Sequence, residues 1–198
     1  MKVVIIKYNA GNIQSMDFAL QRLGISAEIS ADEKKIRDAD KIIFPGVGEA
    51  STTMQYLRET GLDKVICSLT QPVLGVCLGL QLMCDHSEEG NVKCLGIFDE
   101  NVKRFNKPAG LNFFKVPHMG WNSLKNISGK LFAKEDENSY FYFVHSYYAS
   151  IGKHTSAETD YIVPFSSALQ KDNFYACQFH PEKSGVAGSR ILDNFLKL

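Results

Sequence analysis

The chain has 198 residues, 44% of them hydrophobic and 22% charged, with 22 basic side chains against 22 acidic ones. That length suits one compact domain over residues 1–198 with a sizeable core, and a net charge of zero without a basic stripe argues against a nucleic-acid binder. The apolar run near the N-terminus is too short for a secretion signal or a membrane span, so a cytosolic setting is expected.

In chain order, Val3–Ile6 is an unbroken apolar run and reads as a buried strand, followed by a turn at Asn9-Ala10-Gly11-Asn12. Ile13, Met16, Ala19, Leu20 and Leu23 then recur at helical spacing as far as Gly24. Residues 42–44 form a second strand, closed by Pro45-Gly46-Val47-Gly48, and a helix over Ala50–Thr60 runs up to Gly61. A third buried strand over 73–76 leads into a helix over 78–84. Strand, turn and helix repeated in this way predict parallel βαβ units in an open α/β sheet flanked by helices.

The second half changes character. Segments 95–105, 113–116, 140–144, 161–165 and 174–179 are strand-like with little helix between them, which predicts an antiparallel extension of the sheet. The segment around Trp121, between Gly120 and Asn122, reads as a loop. Val186, Ile191, Leu192 and Phe195 predict a closing helix.

The five cysteines, Cys67, Cys77, Cys84, Cys94 and Cys177, are odd in number, widely spaced and without a C-x-x-C pair. They fit reduced thiols rather than a disulfide framework or a zinc site, and no metal or cofactor is expected. Cys77 differs from the rest, since it stands in Gly75-Val76-Cys77-Leu78-Gly79 between an apolar strand and a helix. A nucleophile on so tight a turn needs glycine two residues to either side, where side chains would collide. The turn aims the sulfur at free helix-start N–H groups, which favour a thiolate over a thiol that ordinarily titrates near ~8.5. The N–H of Leu78 is then placed to donate to an oxyanion formed by attack at this sulfur. Cys84 has no flanking glycines and reads as core.

A thiolate hydrolase also needs a proton shuttle, and there are five histidines. His154 lies in a polar stretch and reads as a surface residue, His86 is placed to cap the nucleophile helix, and His118 fits either core or interface. His180 ends the strand-like Ala176-Cys177-Gln178-Phe179 and is followed by Pro181 and Glu182. Proline stops the strand, so the carboxylate beyond it is placed to reach back, set the tautomer and stabilise an imidazolium. Both Cys77 and His180 then fall at the C-terminal ends of strands, where α/β sites assemble.

Taken together, Gly11-Asn12 with Ser15, Pro45-Gly46-Val47-Gly48, the Gly75 to Gln81 element, Pro117-His118-Met119-Gly120-Trp121-Asn122, Tyr142 to Tyr147 and Gln178-Phe179-His180-Pro181-Glu182 resemble the triad (class I) glutamine amidotransferases over essentially the whole chain. The resemblance implies a flavodoxin-like fold with a largely parallel mixed sheet. It also implies a Cys77–His180–Glu182 triad that releases ammonia from glutamine through a thioester. By the same resemblance, Gly46, Val47 and Leu78 form the oxyanion hole, the Gly46–Val47 peptide reorienting when a partner is loaded. Gly48, Gln81, Glu89, Ser146 and Tyr147 hold glutamine. The Pro-Gly-Val-Gly and Pro-His-Met-Gly-Trp-Asn elements resemble the branch that feeds ammonia through a tunnel to a (β/α)8-barrel cyclase in histidine biosynthesis, in a heterodimer. Asn12, Met119, Trp121, Tyr142 and His145 are the expected interface. Two alternatives stand beside it: a related glutaminase serving a sugar-amidating partner for surface polysaccharide, and a stand-alone cysteine hydrolase.

Overall fold

The computed structural model describes residues 1–8, 13–107, 110, 114–133 and 139–198. Its first half is built as the apolar periodicity requires. Strand β1 (Val3–Ile6), helix α1 (Ile13–Arg22), β2 (Glu28–Ser30), α2 (Glu33–Arg37), β3 (Lys41–Gly46), α3 (Ala50–Thr60), α4 (Leu62–Cys67), β4 (Val73–Cys77) and α5 (Leu78–Met83) follow one another. β2 and β3 both pair with β1, and β4 with β3, all in parallel. The elements β2, α2 and α4 are too short to show a periodicity in the sequence.

The central strands are apolar throughout because both faces of the sheet are covered. Val4 and Ile6 pack into one cluster with Met54, Leu57 and Ile66 of α3 and α4. Val3 and Ile5 point the other way, into a cluster with Met16 and Leu20 of α1 and with Ile191, Leu192 and Phe195. The last three belong to α6 (Gly185–Leu196), the closing helix expected from the sequence.

The later strands are β5 (His86–Ser87), β6 (Val92–Lys93), β7 (Asn101–Arg104), β8 (His118–Ser123), β9 (Tyr140–His145), β10 (Tyr147–Ala149), β11 (Thr155–Asp160), β12 (Pro164–Lys171) and β13 (Phe174–Cys177). Among the described residues the main sheet runs β2-β1-β3-β4-β13-β12-β10-β7-β5-β6, with β11 against β12. β13 joins β4 in parallel, and the antiparallel portion begins where β12 meets β13. The mixed, largely parallel sheet with its antiparallel extension is thus as expected.

Four local expectations are corrected, one being that only Pro164 and Phe165 of the 161–165 run are strand, as the opening of β12. Only Asn101–Arg104 of the 95–105 run is strand, because the N–H groups of Leu95, Ile97 and Phe98 turn back to the Leu82 and Met83 carbonyls at 2.9 Å and satisfy the end of α5. Residues 114–116 are not strand, and Phe113 lies outside the described residues. The Trp121 segment is not a loop but strand β8, paired with β9 in a separate two-stranded ribbon where Trp121 stands opposite Tyr142.

Candidate active site

The steric reason for glycine around Cys77 is visible in the turn. Cys77 adopts φ 56°, ψ −109°, a conformation that non-glycine residues seldom hold. A β-carbon on Gly79 would lie 2.1 Å from the Phe44 carbonyl oxygen, and one on Gly75 would lie 3.0 Å from the Gly79 carbonyl carbon. Close approach without side chains lets α5 start directly against β3 and β4. A β-carbon on Gly46 would meet the Gly79 nitrogen at 2.5 Å, so the end of β3 presses on the first residues of α5. The Gly46 to Gly48 strand end and the Leu78 amide therefore flank one sulfur. The Tyr8 hydroxyl, buried at the end of β1, donates to the Pro45 carbonyl and anchors the strand just before this point.

β3, β4 and β13 are adjacent and parallel, with Gly46 opposite Cys77 and Cys177 opposite Val76. Their C-terminal ends deliver Val47, Cys77 and His180 to one rim. The cleft there has a volume of about 360 Å³ and is lined by Val47, Gly48, Cys77, Leu78, Gln81, Glu89, Ser146, Tyr147 and His180, with Pro117, Val144, His145 and Lys183 completing the wall. Gly46 lines a smaller adjoining hollow with Glu182.

His180 is 2% exposed. Its Nδ1 lies 2.8 Å from Oε1 of Glu182, which reaches back past Pro181. Ser184 locks this corner: its Oγ donates to the His180 carbonyl at 2.7 Å and accepts the Tyr142 N–H at 2.9 Å. Nε2 of His180 has no hydrogen-bond partner among the described residues. Burial works against a charge on this imidazole, but the Cys77 sulfur and the Glu182 carboxylate outweigh it and push its pKa up to about 10. The arrangement favours an imidazolium beside the sulfur, held in one tautomer by an acid.

Glu89 lines one end of the cleft, with Glu49 close enough to act on its charge. Glu49 caps α3, accepting the Ser51 and Thr52 N–H groups, and Glu89 accepts the Ala50 N–H at 2.9 Å. Burial raises the Glu89 carboxyl above its ordinary range, with the Ala50 N–H opposing and Glu49 adding to the rise. Opposite, Nε2 of Gln81 donates to the Tyr147 carbonyl at 2.9 Å. Ser146 is the residue at which the chain leaves the ribbon after β9 and enters the main sheet as β10.

Of the residues assigned to an interface, Met119 and Trp121 are 63% and 56% exposed on the ribbon. Tyr142 is half-buried with its ring 6.0 Å from that of Trp121. His145 is buried and turned inward, its Nε2 3.0 Å from Nδ1 of His118, which is also buried. Asn12 lies outside the described residues. His154 is not a surface residue: it is part-buried and its Nδ1 lies 3.0 Å from the buried Glu100 carboxylate. His86 does not cap α5, for its ring meets Asn91 instead. Cys84 is core, its thiol pushed well up by burial.

Sequence reasoning left Gln178 and Lys183 without a role. Gln178 is fully buried and its Nε2 lies 3.7 Å from the Cys77 sulfur. Lys183 lines the cleft with its ammonium 5.9 Å from the centre of the Tyr142 ring. The one sequence signal for Gln178 is an uncharged polar side chain inside a run otherwise built for burial. Among the described residues no group of three or more His, Cys, Asp or Glu side chains is arranged to hold a metal ion.

A strained cysteine, a carboxylate-paired histidine and a strand end beside the first helical amide are the parts that acyl-transfer hydrolysis calls for. Residues 4–198 match the family model for class-I glutamine amidotransferases, and the chain belongs to that family. It is 61% identical over 198 residues, covering 100% of both chains, to the imidazole glycerol phosphate synthase subunit HisH of Bacteroides fragilis (strain YCH46). The identity to the HisH subunit of Bacteroides thetaiotaomicron is 60% with the same coverage, and to that of Pasteurella multocida 47%, over 98% of this chain and 97% of that one. Among solved structures, a putative GMP synthase component from Thermoplasma acidophilum matches with a TM-score of 0.75 at 18% identity, covering 100% of this chain and 93% of that one. A glutamine amidotransferase matches at 0.74 with 19% identity, over 98% and 97% of the two chains. At these identities the structures speak for the fold alone. Among the described residues no helix is long and apolar enough to cross a membrane.

Proposed function

We propose that this class-I glutamine amidotransferase is the glutaminase subunit of imidazole glycerol phosphate synthase, with Cys77, His180 and Glu182 as its triad. The observation that carries the reading is the His180–Glu182 pair at 2.8 Å, with the unpartnered Nε2 of His180 in the same cleft as Cys77. The Cys77 thiolate adds to the side-chain amide carbon of glutamine, and the resulting oxyanion takes hydrogen bonds from the Leu78 and Val47 N–H groups after the Gly46–Val47 peptide reorients. Imidazolium His180 gives its proton to the amide nitrogen, ammonia leaves, and a γ-glutamyl thioester remains. Neutral His180 then takes a proton from water, whose oxygen attacks the thioester. Collapse returns the thiolate and frees glutamate. Gln81, Ser146, Tyr147 and Gly48 hold the substrate, and Glu89 receives its ammonium group.

The ammonia passes to a (β/α)8-barrel cyclase docked on the ribbon face of Met119, Trp121 and Tyr142. Support comes from full-length identity to HisH subunits and from the large exposed apolar side chains on that face. Five free thiols suit a reducing cytosol. The test is ammonia release from glutamine with and without a co-purified barrel partner and its nucleotide. Activity that rises with the loaded barrel and vanishes in Cys77→Ala is the expected result. Intact ammonia release in Cys77→Ala would refute the triad. A complex that amidated only a nucleotide sugar would leave the glutaminase standing and overturn the histidine-pathway assignment.

A further inference from the structure

We infer that Gln178 is a positioning residue for the nucleophile, its side-chain NH2 group held against the Cys77 sulfur by a hydrogen-bond relay that starts at Asn122 and passes through His118, His145, the Tyr147 carbonyl and Gln81. The inference rests on the glutaminase reading of Cys77 and adds a residue that reading does not contain.

The chain converges from both sides on the Tyr147 carbonyl, and in its outer half the direction of each bond is settled by the two ends, Asn122 and that carbonyl. At the outer end, the Ser123 N–H donates to Oδ1 of Asn122 at 2.9 Å, so Nδ2 must be the donor; it gives one hydrogen to the Asp160 carbonyl at 3.0 Å and faces Nε2 of His118 at 3.4 Å. That makes Nε2 of His118 an acceptor and its Nδ1 a donor, to Nε2 of His145 at 3.0 Å. His145 is then left with a proton on Nδ1, which is the atom 2.7 Å from the Tyr147 carbonyl, an obligate acceptor. Both ends demand the same polarity, and only two neutral imidazoles satisfy it. Burial supplies that neutrality: it lowers the pKa of His118 to about 4, and that of His145, with His118 and His180 adding and the Tyr147 carbonyl opposing, to about 3.

The inner half follows the same logic. The Tyr147 carbonyl also accepts from Nε2 of Gln81 at 2.9 Å, and Gln81 gives its second hydrogen to Oε1 of Gln178 at 3.0 Å. With its oxygen so engaged, Gln178 can only turn its NH2 group toward Cys77, 3.7 Å from the sulfur. An N–H donor favours thiolate over thiol, and it limits where the sulfur can sit in a strained turn. Gln81, with both amide hydrogens spent, keeps its own Oε1 as the atom free to accept from a substrate.

The test is alkylation of Cys77 by iodoacetamide across pH, read by mass spectrometry of the Cys77 peptide, together with glutaminase kinetics in the assembled enzyme. Gln178→Glu has the same shape and still accepts from Gln81, but presents an acceptor and a negative charge to the sulfur. Gln178→Met has a similar length and presents neither donor nor charge. Each variant is expected to move the pH of half-maximal alkylation upward, by one pH unit or more for Gln178→Glu, and to lower kcat at least tenfold with KM changed less than threefold. His118→Phe, which breaks the relay far from the sulfur, is expected to shift the same midpoint in the same direction by less. Wild-type midpoints in whichever Gln178 variants fold overturn the proposal while leaving the triad intact. Wild-type Cys77 that labels no faster than exposed Cys67 would sink the glutaminase reading and this inference with it.

Discussion

Nδ1 of His180 and Oε1 of Glu182 lie 2.8 Å apart across a single proline, while Nε2 of the same ring has no hydrogen-bond partner among the described residues. A buried imidazole in this position is a strong base because both of its neighbours gain from its charge. Its pKa, pushed up to about 10, places the loss of the proton-donating form far above neutrality. The basic limb of kcat/KM for glutamine is therefore expected near pH 10. In Glu182→Gln the amide no longer stabilises the imidazolium, so the limb moves down and activity at neutral pH drops by about 10²–10⁴-fold. A limb that stayed in place in Glu182→Gln would remove Glu182 from the triad.

The same shift has a stability consequence. A histidine whose folded pKa is raised contributes stability that is fully present below its unfolded value of about 6.5, and that contribution disappears as pH rises through the folded value of about 10. Urea midpoints of the wild type should fall on the alkaline side across that window, and Glu182→Gln should fall less steeply over it.

His118 and His145 act in the opposite direction. Their folded pKa values, about 4 and about 3, lie below the unfolded value. Their contribution is complete above about pH 6.5 and is lost as pH falls toward the folded values, at about 1.4 kcal/mol per pH unit for each ring. His180 adds no slope there, being protonated in both states. Urea titrations at stepped pH between 6 and 4.5 should show His118→Gln with a slope smaller by about 1.4 kcal/mol per unit; an unchanged slope would mean that His118 is charged in the fold.

Gly79 and Gly75 face different neighbours, so they respond differently to a methyl group. At Gly79 the added carbon meets the Phe44 carbonyl oxygen at 2.1 Å, a backbone atom that cannot yield without moving β3. At Gly75 the nearest atom is the Met83 sulfur at 2.7 Å, the far end of a flexible side chain. Gly79→Ala is expected to cost roughly 3 kcal/mol or more and Gly75→Ala roughly 1–3 kcal/mol, read from urea midpoints. Equal costs would show that the β3–α5 contact is softer than its geometry.

On the proposed docking face, Trp121→Ala is expected to leave folding stability within about 0.5 kcal/mol, because the side chain is 56% exposed. It should weaken association with the barrel subunit by about 2 kcal/mol, near 30-fold in Kd. Calorimetric titration of the two purified subunits, beside urea midpoints of the variant alone, measures both arms, and undiminished affinity would move the interface elsewhere.

The nucleophile turn and the His-Pro-Glu corner were legible in the sequence because their requirements are local. Glycine at 75 answers a clash with the helix that follows Cys77, whereas glycine at 79 makes room for the Phe44 carbonyl of β3, and Pro181 bends the chain between His180 and Glu182. The parallel half of the sheet was legible for a similar reason: Val3–Ile6 is apolar throughout because both faces are covered. Trp121 misled as a loop residue because glycine and polar neighbours mask a ribbon strand whose partner, Tyr142, lies beyond a long intervening segment.

What only the tertiary structure decided is which distant groups meet. Gln178 and Cys77 are 101 residues apart, Gln81 and Gln178 are 97 apart, and His118 and His145 are 27 apart. No local spacing encodes such pairs. They depend on strand order, which sets β13 beside β4, and on register, which places His118 opposite His145 in the ribbon. Cys77 could therefore be proposed as the nucleophile from its own flanking residues. The groups that aim its sulfur, set the charge of its histidine and shape its cleft were decided by packing, because hydrogen bonds between buried side chains exist only once the strands that carry them are side by side.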